Sequence, residues 1–261
     1  MTRLDAEIVN RKIAQSRERA KVLIKNGSIS VNGKVCLKPS FAVESTDEIV
    51  SSESDLQYVG RGGLKLEKAL DEFEIELDGK VCLDIGASTG GFTDCMLQRG
   101  AVKVFAVDVG HGQLAESLKN DHRVVNLEGT DIRNVNLAEF GSLLDFISID
   151  VSFISLKQIL PKAFELLSPN GIVSVLIKPQ FEAGRSDIGK NGIVKDRKVH
   201  RRVLGEIDCF SRNLGLYPLK YTFSPVTGGS GNIEYLAMLS KTDCQSICDF
   251  TELVENAWKT L

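Results

Sequence analysis

The sequence predicts an α/β protein, a parallel sheet covered on both faces by helices, preceded by a small basic α+β module. Three observations carry that expectation. From residue 81 onward, short apolar runs of strand length alternate with helical stretches, the pattern of a sheet buried on both sides. Those runs end in glycine or charged residues rather than fading into polar loops. The first 39 residues also differ in charge from everything after them. A length of 261 residues, 43% hydrophobic and 26% charged, suits one large and one small globular domain. No run approaches the roughly 20 apolar residues that span a bilayer. The start, Met1 to Asp5, lacks the features of a secretion signal, so a soluble cytoplasmic protein without a membrane partner is expected. The six cysteines include no C-x-x-C pair and there are three histidines, which argues against a structural metal. Cys244 and Cys248 share one face of a C-terminal helix, where packing is the expected role.

Residues 1–39 hold nine Lys/Arg and three acids, a charge of +6 against −3 for the whole chain, which leaves −9 on residues 40–261. A compact basic module on an acidic body is the footprint of a polyanion partner. Asp5–Ile13 and Ser16–Asn26 read as short helices, the second with Ser16 as N-cap and Gly27 as stop. Ala20, Leu23 and Ile24 form its apolar face. Arg17, Lys21 and Lys25 recur at every fourth position, and like charges so spaced cost helix stability unless a partner neutralises them. A merely solvated basic face is the alternative. Residues 29–35 alternate around Asn32-Gly33, a hairpin signal. Arg3-Leu4-Asp5, Ser16-Arg17 with Ala20-Lys21, Ile24-Lys25-Asn26-Gly27, Val31-Asn32-Gly33-Lys34 and Lys38-Pro39 together resemble the RNA-binding domain of ribosomal small-subunit protein four. That resemblance implies RNA contacts at Arg3, Arg11, Arg17, Lys21, Lys25, Lys34 and Lys38, with the module spanning 1–58.

Tyr58-Val59-Gly60-Arg61-Gly62-Gly63 reads as a hinge, and 59–64 as a glycine-rich linker, because three glycines in four positions resist regular structure and let backbone approach a ligand. Leu64–Phe73 reads as a helix with Leu66, Ala69, Leu70 and Phe73 on one face. Strands are expected at Val81–Ile85, Val102–Val107, Val124–Leu127, Leu144–Ile149 and Ile172–Ile177. Helices are expected near Thr93–Arg99, Leu114–Asn120, Leu156–Leu167 and Lys198–Leu214, and a final strand at Ile233–Leu239. The large domain spans 65–242, and 243–261 forms a C-terminal helix packed on it.

Ligands of such sheets sit at the carboxyl ends of the strands, near the switch point. The first strand ends in Asp84-Ile85-Gly86-Ala87-Ser88-Thr89-Gly90-Gly91-Phe92, whose glycine spacing departs from the dinucleotide fingerprint and lacks a P-loop lysine. Asp108 ends the second strand, where a carboxylate accepts ribose hydroxyls, and Asp131 follows the third, where it meets an adenine amino group. These positions describe an adenosine pocket without a pyrophosphate cradle, the pattern of S-adenosylmethionine-dependent methyltransferases. Asp150 ends the fourth strand and Lys178 the fifth, at one edge. In the methyltransferase fold the last strand is antiparallel, which brings Glu234 beside Lys178, while Lys65 completes the set from the helix before the sheet. Burial favours the neutral amine that a lysine general base needs. A structural ion-pair network is the alternative.

Lys65, Asp150, Lys178 and Glu234 resemble the Lys-Asp-Lys-Glu tetrad of the FtsJ-like RNA 2′-O-methyltransferases, with a Rossmann-like class I methyltransferase fold. Within them, Arg61-Gly62-Gly63 with Lys65-Leu66, Gly86 to Thr93, Asp108-Val109-Gly110 with Gly112-Gln113-Leu114, Asp150 to Leu156, Lys178 to Glu182, and Ser230 to Tyr235 resemble the TlyA family, in order along almost the whole chain. The resemblance implies methyl transfer to a ribose 2′-hydroxyl of ribosomal RNA, on cytidine, by a monomer acting on ribosomal subunits. It also implies a cofactor site at Asp84, Gly86, Ser88, Thr89, Gly90, Gly91, Phe92, Asp108, Asp131 and Asp150, and RNA contacts at Arg61 and Phe153. Phe153 as a base-stacking group stands beside Phe153 as a core residue. The polar loop 182–197 reads as a mobile RNA-facing segment or a solvated one. A non-catalytic ribosome-assembly factor and, on the family's older name, a hemolysin are the competing functions.

Overall fold

The computed structural model describes the chain except residues 1, 12, 15, 16, 26, 52–56, 190 and 244–246, and the side chains of Glu18, Arg19 and Val22. The expected Ser16 cap and the Cys244 half of the cysteine pair lie outside the described residues. The chain divides into two compact units, Met1–Gln57 and Tyr58–Leu261.

The first unit contains β1 (Thr2–Arg3), α1 (Leu4–Asn10), α2 (Arg17–Lys25), β2 (Ile29–Val31), β3 (Lys34–Val35), β4 (Ala42–Val43) and β5 (Ile49–Ser51). Its core is Leu4, Ile8, Ala20, Leu23, Ile24, Ile29, Val31 and Val43. Asn32 and Gly33 both have positive φ, as a two-residue turn between right-twisted strands requires. The first helix ends at Asn10, earlier than its sequence suggests. Arg11 leaves the helix and its guanidinium donates to the carbonyls of Asp47, Glu44 and Ser45.

The second unit begins with α3 (Gly62–Phe73), so the helix starts inside the expected hinge. The glycines are there for close approach: a Cβ on Gly63 would come within 2.2 Å of the buried Tyr58 ring, and one on Gly91 within 3.1 Å of the Gly60 carbonyl. Then follow β6 (Val81–Ile85), α4 (Gly91–Gln98), β7 (Lys103–Asp108), α5 (Glu116–Lys119), β8 (Val124–Glu128), β9 (Leu144–Ile149), α6 (Leu160–Leu166), β10 (Leu167–Ile177), α7 (Pro179–Glu182), α8 (Arg197–Leu214), β11 (Tyr217–Phe223), β12 (Tyr235–Ser240) and α9 (Phe250–Thr260).

The seven-stranded sheet runs β11-β12-β10-β9-β6-β7-β8. β12 is antiparallel to both neighbours, while β10, β9, β6, β7 and β8 pair in parallel. The fold is thus the expected Rossmann-like one with a single reversed strand. β11 is the strand the sequence hid. Pro218 breaks its pattern and the register shifts between Pro218 and Lys220, both tolerable because the strand is at an edge. The strand order reverses between β6 and β9, and the crevice outside their ends is where a ligand belongs.

Candidate active site

The crevice is built by two chain segments that touch. Asp150 N donates to the Ile85 carbonyl at 2.9 Å, just beyond the paired Ile85 and Ile149. Gly86 has φ +88°, and a Cβ there would meet the Asp150 carbonyl oxygen at 2.4 Å. Only glycine satisfies both the left-handed backbone and that approach. Ser88 follows with φ +48°, its N–H donating to Asp108 Oδ2 at 2.8 Å while Gly110 N–H donates to Asp108 Oδ1 at 2.7 Å. One carboxylate therefore ties the loops after β6 and β7. The resulting cleft, about 230 Å³, is lined among others by Arg61, Lys65, Gly86, Ser88, Phe92 and Asp150.

Asp84 faces away from this cleft. It is fully buried, accepting from Thr93 Oγ1 at 2.7 Å and Ser148 Oγ at 3.1 Å. Burial pushes its carboxyl up to about 7, the hydroxyl donors offset part of this, and the charge of Asp150 adds to it. Its observed contacts brace α4 beneath the loop. Asp131 also departs from expectation. It caps a short 3-10 turn through Arg133 N–H, and the Arg133 guanidinium takes its carboxylate at 2.6 Å. Asp131 is not among the residues that line the cleft.

The four converging polar residues form two ion pairs. Lys65 Nζ lies 2.6 Å from Glu234 Oε2, and Lys178 Nζ lies 2.5 Å from Asp150 Oδ1. Lys65, Lys178 and Glu234 are 8%, 8% and 2% exposed. Glu234 therefore pairs with Lys65, and its second oxygen accepts from Gln180 Nε2 at 3.2 Å; Lys178 donates instead to Ser152 Oγ at 3.0 Å. The Asp150 oxygen nearest Lys178 is buried and takes no aligned hydrogen bond. The paired Ile177 and Tyr235 bring the ends of β10 and β12 together, which is why residues 56 apart in sequence share one edge.

The loop after β9 is stapled to the loop after β10. Glu182 accepts from Ser155 Oγ at 2.6 Å and from Leu156 N–H at 2.8 Å, and burial raises its carboxyl above the usual range. Between these ties Phe153 has φ +63° and is 92% exposed, its ring 4.8 Å from that of Phe181. A core role for Phe153 is excluded by that exposure. The later part of the 182–197 loop is tied down as well. Asn232 accepts from Val194 N–H at 3.0 Å and donates to the Gly192 carbonyl at 2.9 Å.

In the first unit the expected RNA-facing cations separate into two sets. Arg3 makes a two-pronged contact with buried Asp5, which Arg17 also approaches at 3.4 Å, and the pairing holds Asp5 at about 2. Arg11 is spent on Glu7 and the three carbonyls, so it serves the fold rather than a free surface. Lys21 is half-buried. Lys25, Lys34 and Lys38 are exposed, with no carboxylate partner among the described residues. Arg61 lines the cleft of the second unit.

Sequence reasoning missed Ser152, Gln180 and Glu182 as partners in the site, and the Val226, Thr227 and Gly229 stretch that lines the cleft. The signal for that stretch was present in the run Thr227-Gly228-Gly229-Ser230-Gly231. A Cβ on Gly228 would meet Glu234 Oε1 at 2.4 Å.

Residues 58–241 match the FtsJ-like methyltransferase family and residues 2–49 match the S4 domain. The chain is similar to the rRNA methyltransferase-designated YqxC of Bacillus subtilis, 48% identical over 91% of this chain and 85% of that one. It is similar to the 16S/23S rRNA (cytidine-2′-O)-methyltransferase TlyA of Mycobacterium tuberculosis, 42% identical over 92% of this chain and 91% of that one. A solved structure from Streptococcus thermophilus, named as a hemolysin, superposes with TM-score 0.81 at 43% identity, covering 99% of this chain and 96% of its own.

Proposed function

The chain belongs to the FtsJ-like methyltransferases, in the TlyA group with an S4 domain ahead of the catalytic unit, and from that premise we propose that it methylates a ribose 2′-hydroxyl of ribosomal RNA, on cytidine. The observation that carries this reading is the pair of buried ion pairs, Lys178 with Asp150 and Lys65 with Glu234, at the mouth of a glycine-lined cleft. S-adenosylmethionine bound in that cleft supplies an electrophilic sulfonium methyl. The residues fit such a group: Gly86, Ser88, Thr89 and Gly91 line the cleft with the loop after β6, and Asp108, which holds that loop through Ser88 N–H, is the carboxylate for ribose hydroxyls.

Lys178 would orient the target 2′-hydroxyl and, in its neutral form, would take its proton at Nζ; as the ammonium paired with Asp150 it would instead hold the oxygen that loses its proton. Asp150 and Ser152 hold that amine. Lys65 is held by Glu234, and Glu234 by Gln180, so the second pair fixes the wall opposite. General-base assistance of this kind supplies about 10²–10⁴-fold, and alignment of the two reactants supplies more. Phe153, exposed beside Phe181, offers a face on which the target base stacks, worth roughly 1–3 kcal/mol. The S4 unit docks the RNA through Lys25, Lys34 and Lys38. A cytoplasmic monomer acting on ribosomal subunits is part of the same reading.

The hemolysin name of a relative has no counterpart in the helices, none of which, among the described residues, is long and apolar enough to cross a membrane. The test is transfer of labelled methyl from S-adenosylmethionine to isolated, unmodified ribosomal subunits, with Lys178→Ala alongside. Label on RNA at one alkali-resistant linkage, lost in the variant while cofactor affinity stays the same, is expected. Full activity in the variant refutes the role of Lys178. Cofactor binding without transfer to either subunit supports a non-catalytic assembly factor.

A further inference from the structure

The start of α8 carries a feature the chemistry above leaves unused. Lys195, Asp196, Arg197, Lys198, Arg201 and Glu255 line an open depression of about 600 Å³. Both carboxylates are committed: Asp196 caps the helix by accepting Lys198 N–H at 2.8 Å, and Glu255 binds Arg197. Arg197 also lies 5.1 Å over the Trp258 ring. Lys195, Lys198 and Arg201 have no carboxylate partner among the described residues, and Lys198 and Arg201 are one helical turn apart. Like charges so spaced repel, and the two carboxylates of the depression leave it with a surplus of positive charge.

The depression is fixed to the catalytic edge of the sheet. His200 is 1% exposed and bridges Tyr235 Oη at 2.8 Å and the Val194 carbonyl at 2.9 Å. The carbonyl only accepts, so Nε2 carries the proton and Tyr235 donates to Nδ1. Tyr235 follows Glu234 directly, and Asn232 holds Val194 from the same strand end. Lys195 and the first turn of α8 are thus anchored through Val194 and His200 to the strand end that positions Glu234. Cations held on a rigid support lose less entropy on binding than cations on a free loop.

We propose that Lys195, Lys198 and Arg201 form a second RNA contact, in the methyltransferase unit itself, that grips phosphodiesters flanking the nucleotide being modified. This rests on the RNA-methyltransferase reading and adds to it a docking site separate from the S4 unit. A polyanion is the partner that the charge selects, and the position at the catalytic edge selects the substrate strand.

Binding of in vitro transcribed 16S and 23S rRNA is measured against KCl concentration for the wild type, for the triple variant Lys195→Gln/Lys198→Gln/Arg201→Gln, and for each single variant. Each phosphate contact contributes about 0.7–0.9 to the slope of log affinity against log salt. The triple variant should therefore flatten that slope by about two to three and weaken binding at least about tenfold at low salt. Each single variant should give about a third of the change in slope, with cofactor affinity as in the wild type. Lys80→Gln/Lys103→Gln, at the opposite edge where β6 and β7 begin, should leave the slope alone. An unchanged slope in the triple variant, with the wild type active, overturns this inference by itself. So does a loss of methylation on intact subunits with rRNA binding unaltered, which assigns the patch to an acidic protein surface. A wild type that neither binds nor methylates rRNA overturns the activity reading, and this inference with it.

Discussion

Asp84 is fully buried, with two hydroxyls, the Thr93 N–H and a nearby carboxylate around it. Its folded carboxyl titrates at about 7 against an ordinary 3.8. Between those values the unfolded chain ionises the group while the folded chain keeps its proton, so the folded state binds more protons and loses stability as pH rises. Asp84→Asn, which cannot ionise, should remove that part of the decline. Thermal midpoints of the two proteins between pH 4 and pH 7 give the comparison, and parallel curves would refute it. The contacts of Asp84 were not legible in the sequence. A carboxylate at a strand end looks alike whether it faces a ligand or a neighbouring hydroxyl, and the difference lies in Thr93 and Ser148, which only the fold brings to it.

At the scale of elements, two short connections carry the site. Glu182 joins the loop after β9 to the loop after β10 through Ser155 and Leu156, and so holds Asp150 and Ser152 in place around Lys178. Hydrogen bonds to a charged group are worth about 1.5–3 kcal/mol, and about 1.4 kcal/mol at the transition state is tenfold in rate. Glu182→Ala should lower kcat about tenfold without changing cofactor affinity, and Glu182→Gln, which keeps one acceptor oxygen, should recover part of it. Equal kcat in all three proteins would dismiss the staple. The second connection is the start of α3 against Tyr58. Gly63→Ala places a methyl inside the ring's own volume, and overpacking of this kind costs about 1–3 kcal/mol. The thermal midpoint should fall by roughly 2–4 °C per kcal/mol; an unchanged midpoint would show that Tyr58 has room to move. Glycine density suggested a hinge at this point. The structure has helix from Gly62 onward, because the same lack of a side chain that frees a loop also lets two helices and a ring approach closely. The parallel strands were legible from their unbroken apolar runs, whereas β11, an edge strand with Pro218 and Lys220 in it, offers no such run.

The whole molecule is two units with separate cores. Small cores are marginal, so calorimetry of the intact chain should resolve two transitions. At about 0.7 kcal/mol per residue, residues 1–57 should contribute roughly 40 kcal/mol and residues 58–261 roughly 140 kcal/mol. Acid should act on the smaller transition through Asp5. Its folded carboxyl, held at about 2 beneath an ordinary 3.8, makes a stabilising contribution that is lost as pH falls through that interval. One concerted transition would mean that the units unfold as a single body. That the chain has two parts was legible from charge, since a +6 segment of 39 residues precedes a −9 remainder, although the first unit runs on to Gln57. Which cations serve the partner and which serve the fold was not, because that depends on what lies within reach of each cationic head group, as at Arg11 and Lys34.

β11 leaves one further consequence. A sheet's outermost strand presents unpaired amides to any other chain that can extend the ladder, and long flat edges of that kind nucleate fibres. Pro218 has no N–H to offer, and the register shift beside it bends the strand away from a straight template. The irregularity that hid this strand in the sequence thus guards the β11 edge against self-assembly. Replacing Pro218 with valine should make concentrated solutions of the protein more prone to thioflavin-positive aggregation.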